Sequence, residues 1–146
     1  MFERDNIYLD FEIKNKKELF EKMTTIFEEK NYIKNGYLES ILNREKNYPT
    51  GLSFGEYNIA IPHTYYEFVK EEKIIFIRLK NPIDFVEMGT ENNELKVKVI
   101  VMLLVNRGEN QAEILSYLMD KLGNKENYDI LEKTNDKNMI YKILKK

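Results

Sequence analysis

A chain of 146 residues is long enough for one domain whose core needs no covalent staples. Its 23 Lys and Arg, scattered along the chain against 25 Asp and Glu, argue against a nucleic-acid-binding protein. No cysteine and a single histidine exclude a disulfide scaffold, thiolate chemistry and a multi-histidine zinc site; a carboxylate Mg2+ or Ca2+ site stays formally open, and neither metal nor cofactor is expected.

The opening MFERDNIYLD carries early acidic residues and no apolar stretch of signal-peptide length. Ile7, Leu9, Phe11 and Ile13 then alternate with polar or amphipathic residues, the period of a strand with one buried face. Asn15 with Glu18 predicts a capped helix start, and Leu19, Phe20, Met23, Ile26 and Phe27 fall on one helical stripe. A second helix, YLESILNREK, follows Gly36 and turns Leu38, Ile41 and Leu42 inward. NYPTGLSFGEYN reads as loop, punctuated by Pro49, Gly51 and Gly55. It leads to a short strand, IAI, stopped by Pro62, so that His63 should leave the strand end.

Two more strands are expected at Lys73–Leu79 and Lys96–Val105, the second apolar on both faces as a central strand would be. Between them NPIDFVEMGTENNE predicts a turn, a short extended piece and a polar loop. A helix over Gln111–Leu122 carries Ile114, Leu115, Leu118, Met119 and Leu122 on one face, with Gly123 suited to its C′ position. Short helices around Asn127–Glu132 and Lys137–Leu144 finish the chain. The fold class is α/β: a single domain with a mixed sheet of about five strands flanked by helices. The longest apolar run, Val99–Val105, is far below a membrane span, so we expect a cytoplasmic protein with no direct membrane insertion.

His63 is where chemistry could sit. A histidine just past a strand end is held by the sheet while its ring stays reachable, and neutral imidazole is a nucleophile near pH 7. The plainer reading is a solvated loop histidine, or one bonded to a local carbonyl. No G-x-S-x-G setting supports a serine hydrolase, GLSFGEYN is no P-loop, and the carboxylate clusters FEEK, KEEK and GTENNE read as solvated surface. Tyr48, Tyr57, Tyr65 and Tyr66 flank the histidine as packing residues rather than catalytic ones.

NREKNYPTGLSFGEYNIAIPHT resembles the active-site region of the enzyme IIA components of the bacterial sugar phosphotransferase system, fructose/mannitol/galactitol class. Arg44-Glu45 and Ile59-Ala60-Ile61-Pro62-His63 match that signature position by position, and the element order fits over nearly the whole chain. YPTGL looks more like the galactitol-type branch.

The resemblance implies an enzyme, a phosphotransferase. His63 would take a phosphoryl group from the carrier protein HPr and pass it to a cysteine of an enzyme IIB domain. The membrane component IIC, an indirect partner, would bind the sugar. Arg44 would stabilise the phosphoryl oxygens through its planar fork. Glu45, Glu67 or a backbone carbonyl would orient the other ring nitrogen. Mannitol- and fructose-type members often carry a second active-site histidine; Gln111 stands in that place and can donate a hydrogen bond but no charge.

A regulatory module with a signalling phosphohistidine and an interaction domain without phosphoryl chemistry are the competing readings. The expected partner surface is a shallow, accessible depression around His63. Its rim would be the loop Tyr48–Tyr57, the turn Thr64–Phe68 and the helix start at Gln111. Leu52 and Phe54 are either its apolar centre or part of the core.

Overall fold

The computed structural model describes residues 1–146. Five strands form one sheet: β1 (Phe2–Phe11), β2 (Gly51–Ser53), β3 (Asn58–Ala60), β4 (Lys73–Val86) and β5 (Glu94–Leu104). Five helices accompany it: α1 (Lys16–Glu29), α2 (Tyr37–Asn47), α3 (Gly108–Leu122), α4 (Lys125–Lys133) and α5 (Lys137–Leu144). The strand order is β1-β4-β5-β3-β2. β1 runs parallel to β4 and β3 parallel to β5, while β4–β5 and β2–β3 are antiparallel. The sheet is mixed, as expected.

The alternation of side chains along the central strands builds two cores. Ile75, Ile77 and Leu79 of β4, with Val97, Ile100, Met102 and Leu104 of β5, pack under α1 and α2. Ile74 and Phe76, with Val99, Val101 and Leu103, face α3, α4 and α5 on the other side. A central strand covered on both faces must be apolar at nearly every position, which is why MLLV shows no strand period. No helix is long and apolar enough to cross a membrane.

Several local expectations hold. Asn15 caps α1, its Oδ1 accepting the Glu18 N–H at 2.9 Å. Others need correction. β1 begins at Phe2, earlier than its alternating stretch, and ends at Phe11; Ile13 is buried beyond it. β4 does not stop at Leu79 but continues to Val86, because the irregularity between Arg78 and Ile83 takes up Pro82, whose missing N–H would break a regular ladder.

The loop before His63 holds a strand, β2, hairpinned onto β3. Gly51 is required there by a close approach: a Cβ would come within 2.7 Å of the Val86 carbonyl. Gly123 ends α3 with an ordinary φ of −74°, not the left-handed conformation of a C′ glycine. It is needed for space instead, since a Cβ would meet the Met119 carbonyl at 2.9 Å and the Phe54 ring at 3.3 Å.

Candidate active site

α2 places Arg44 in its last turn, and β3 delivers the chain through Ile61 and Pro62 to His63. The Ile61 N–H bonds to the Thr50 carbonyl and the Leu103 N–H to the Pro62 carbonyl, so the backbone on either side of Ile61 is tied to its neighbours. His63 lies at the edge of an open cleft of about 530 Å3. Three segments line it with the histidine: Arg44 and Asn47 to Thr50, Met88 to Glu91, and Gln111 with Leu115 of α3. The structure thus brings His63, Arg44 and Gln111 to one cleft.

The imidazole is deeper than a shallow depression would leave it, at 7% exposure. Its Nδ1 lies 2.9 Å from the Ile61 carbonyl oxygen. A carbonyl only accepts, so Nδ1 carries the proton and Nε2 keeps its lone pair. Burial holds the His63 pKa below its ordinary 6.5; the Ile61 hydrogen bond opposes this, and the Arg44 charge adds to the depression. The ring is neutral at pH 7, with Nε2 as its nucleophilic atom.

Neither Glu45 nor Glu67 touches the ring. Glu67 is exposed in a single 3-10 turn over Tyr66–Phe68. The Glu45 carboxylate is buried and accepts two bonds from Thr50, from N–H at 2.8 Å and from the hydroxyl at 2.6 Å. Burial raises its pKa against those two bonds.

Arg44 is half-buried and belongs to none of the chain's ion pairs. Its guanidinium stacks 4.8 Å from the Tyr48 ring centroid and 5.1 Å from that of Tyr65, and its buried Nε has no hydrogen-bond partner. One turn earlier on the same helix face, the Ser40 hydroxyl is hydrogen-bonded to that of Thr64, next to the histidine. Gln111 lines the cleft without being locked to a neighbouring side chain.

The rim differs in part from expectation. The β4–β5 hairpin tip, Met88 to Glu91, is a wall of the cleft although GTENNE reads as solvated loop. It is held there by the Met88 N–H to the Gly51 carbonyl at 2.8 Å, a long-range bond that no local pattern announces. Leu52 and Phe54 pack against the α3–α5 core, Phe54 stacking on Tyr57 at 5.3 Å. Tyr57 is itself core, its hydroxyl donating to the Leu122 carbonyl at 2.6 Å. The exposed apolar groups near the site are Tyr48 and Met88 at the cleft, Tyr65 beside the adjoining hollow, and Tyr66 against Gly108 at the start of α3.

The family described as phosphoenolpyruvate-dependent sugar phosphotransferase system, EIIA 2, matches residues 1–146. The mannitol-specific phosphotransferase enzyme IIA component of Mycoplasma pneumoniae is 29% identical over 136 residues, 91% of this chain and 87% of that one. The galactitol-specific EIIA component of Escherichia coli K12 is 29% identical over 84 residues, 58% of this chain and 55% of that one. The multiphosphoryl transfer protein of Shigella flexneri is 33% identical over 87 residues, 60% of this chain; the match spans about a tenth of that much longer protein.

Among solved structures, the complex of enzyme IIAMTL and phosphorylated enzyme IIBMTL from E. coli superimposes with a TM-score of 0.80 at 19% identity, covering 99% of this chain and 98% of that one. The nitrogen regulatory protein IIA-Ntr from Neisseria meningitidis gives 0.77 at 28% identity, covering 98% and 95%. With a family match over its full length, the chain belongs to the EIIA 2 family of the phosphoenolpyruvate-dependent sugar phosphotransferase system.

Proposed function

We propose that His63 carries the phosphoryl group, on Nε2, from the phosphohistidine of HPr to a cysteine thiolate of an enzyme IIB domain. The observation that carries this reading is the Nδ1–Ile61 contact, which leaves the Nε2 lone pair available beside an unpaired arginine. Nε2 attacks phosphorus, an Nε2–P bond forms, and the bond from phosphorus to the donor's ring nitrogen breaks. In the second step the thiolate attacks, the Nε2–P bond breaks, and His63 returns to its neutral form with Nδ1 still protonated.

Arg44 meets the phosphoryl oxygens as they arrive, held in place by the tyrosine rings without being neutralised by a carboxylate. Gln111 offers an amide donor from the lining of the same cleft. Tyr48, Tyr65, Tyr66 and Met88 supply the apolar contact for partners that dock transiently in the cytoplasm. The E. coli protein solved with phosphorylated IIB supports the second partner. The galactitol-like loop and the galactitol-specific relative support a galactitol-type polyol, bound by the membrane component IIC, as the sugar.

The second reading, a regulatory domain whose phosphohistidine is read by a partner, is favoured by the 28% identity to the nitrogen regulatory protein. Incubation with enzyme I, HPr and phosphoenolpyruvate, then with IIB, tests both. Carriage requires one acid-labile phosphoryl group, its absence in His63→Ala, and its passage to the IIB thiol. Labelling that stops at His63 favours regulation; undiminished labelling of His63→Ala defeats both.

A further inference from the structure

We propose that Glu45 is a positioning residue that fixes the tautomer of His63 through Thr50 and Ile61. Both oxygens of the Glu45 carboxylate are used by one residue: Oε2 accepts the Thr50 N–H at 2.8 Å and Oε1 accepts the Thr50 hydroxyl at 2.6 Å. Two contacts to one residue fix its orientation as well as its position. Thr50 then turns its carbonyl to the Ile61 N–H at 3.2 Å, and the Ile61 carbonyl takes Nδ1 of His63 at 2.9 Å. Four residues thus connect the end of α2 to the imidazole.

Glu45 is 3% exposed and Thr50 2%, so water does not compete for these bonds. The carboxylate cannot orient the ring directly, because its two oxygens and Nδ1 all have other partners. Asn47 and Tyr48 just before Thr50 are exposed, and Pro49 has no N–H to donate. The Tyr48 N–H closes the helix end on the Arg44 carbonyl at 2.7 Å, and beyond that bond the Glu45 contacts are what anchor Thr50 from the helix side.

The tautomer matters because only a ring protonated on Nδ1 presents a lone pair on Nε2. Which nitrogen holds the proton is set by the hydrogen bond the other atoms allow. When Thr50 is released, Ile61 is tied on one side only, by the Pro62–Leu103 bond; its carbonyl direction loosens and the proton redistributes between the two nitrogens. The kinetic consequence rests on the reading of His63 as phosphoryl acceptor; the tautomer itself does not.

Because His63 is the single histidine, ring 15N resonances of histidine-labelled protein report its tautomer without overlap. The wild type should show Nδ1–H alone. Glu45→Ala should show a mixture and a phosphorylation rate from phospho-HPr lowered about threefold to tenfold. Glu45→Gln, whose amide can accept from the Thr50 N–H and donate to its hydroxyl, should restore the wild-type tautomer and most of the rate.

A role confined to holding the loop would lower thermal stability in Glu45→Ala and leave the ring resonances unmoved, and that result overturns the proposal. If Glu45→Ala does not fold, Thr50→Val, which removes only the hydroxyl contact, carries the test, and an unchanged tautomer there overturns it equally. A wild-type protein that takes no phosphoryl group would defeat the acceptor reading while the 15N spectra still decide the role of Glu45.

Discussion

Arg44 and Arg78 are both drawn below the surface, yet their donors meet different ends. Arg78 sits on β4, 2% exposed, where strand alternation points it at the α3–α5 core. Its guanidinium bonds to both carboxylate oxygens of Asp10, to the Leu131 and Thr134 carbonyls and to Asn135. Every nitrogen is engaged, and the charge ties β1 and the α4–α5 junction to the sheet. Arg44 has stacked tyrosines and an unpaired Nε. A buried donor with no partner costs free energy; the Tyr37 and Thr24 hydroxyls are also unpartnered but lie in the core, whereas Arg44 lines an open cleft where an incoming group can reach it. The contrast separates an arginine whose donors are all spent inside the fold from one with a donor left over, which suits the anion-binding role proposed for Arg44.

The sharpest test of that contrast is Arg78→Ala. It removes a buried side chain and orphans two carbonyls, and should lower stability by about 3 kcal/mol or more, read by denaturant unfolding. Phosphoryl transfer by the fraction that stays folded should be unchanged. A slowed transfer in that fraction would blur the division between the two arginines.

Arg44→Ala should do the reverse. Loss of a charge-assisted contact to the phosphoryl group, worth about 1.5–3 kcal/mol, slows transfer roughly tenfold to a hundredfold. Stability should fall by no more than about 1–2 kcal/mol, the loss of both tyrosine stackings, since the side chain makes no ion pair and its Nε no hydrogen bond. Arg44→Lys should recover part of the rate, because a point charge lacks the planar fork. Normal transfer by Arg44→Ala would remove this residue from the site.

A smaller effect is expected from Tyr48→Ala and Tyr65→Ala. Each removes one face of the sandwich, worth about 0.5–1 kcal/mol, and should slow transfer a few-fold by loosening the guanidinium. Effects as large as that of Arg44→Ala would assign the rings a larger part in partner docking.

The smallest expected effect is on pH dependence. As the proposed acceptor, His63 must be neutral to attack, and burial holds its pKa below 6.5, so the acid limb of the transfer rate should fall below that value. The same shift means that the unfolded chain binds the proton more readily. The contribution of His63 to stability is therefore present above pH 6.5 and is lost as pH falls through that value toward the folded pKa. Glu45 acts in the opposite sense. Its pKa is raised above 4.5, so its contribution is present below that value and is lost as pH rises through the folded one. An acid limb above pH 6.5 would contradict the burial of the ring.

The sequence made much of the Arg44 side of this comparison legible and almost none of the Arg78 side. Arg44, Ile61, Pro62 and His63 lie within a short, motif-bearing stretch whose strand end and helix end follow from local rules. Arg78 reads as one charged residue in KIIFIRL, and only contacts to Leu131 and Thr134, more than fifty residues away, show that it is buried. The hairpin wall at Met88 to Glu91 was hidden for the same reason, as its anchor is Gly51. Leu52 and Phe54 left two readings open because an apolar residue in a loop can face a partner or fold back. The core beside Tyr57 decides for the second. A backbone carbonyl is one of three candidates for orienting the ring, and only the folded contact between Nδ1 and Ile61 singles it out.

In the proposed reaction His63 accepts phosphorus on Nε2 because Nδ1 is held by the Ile61 carbonyl. The most direct test is the long-range 1H–15N ring spectrum of histidine-labelled protein after phosphorylation by phospho-HPr. The expected result is one phosphohistidine, with phosphorus on Nε2 and the proton retained on Nδ1. Phosphorus on Nδ1, or a labelled protein whose His63 ring is unchanged, would contradict it.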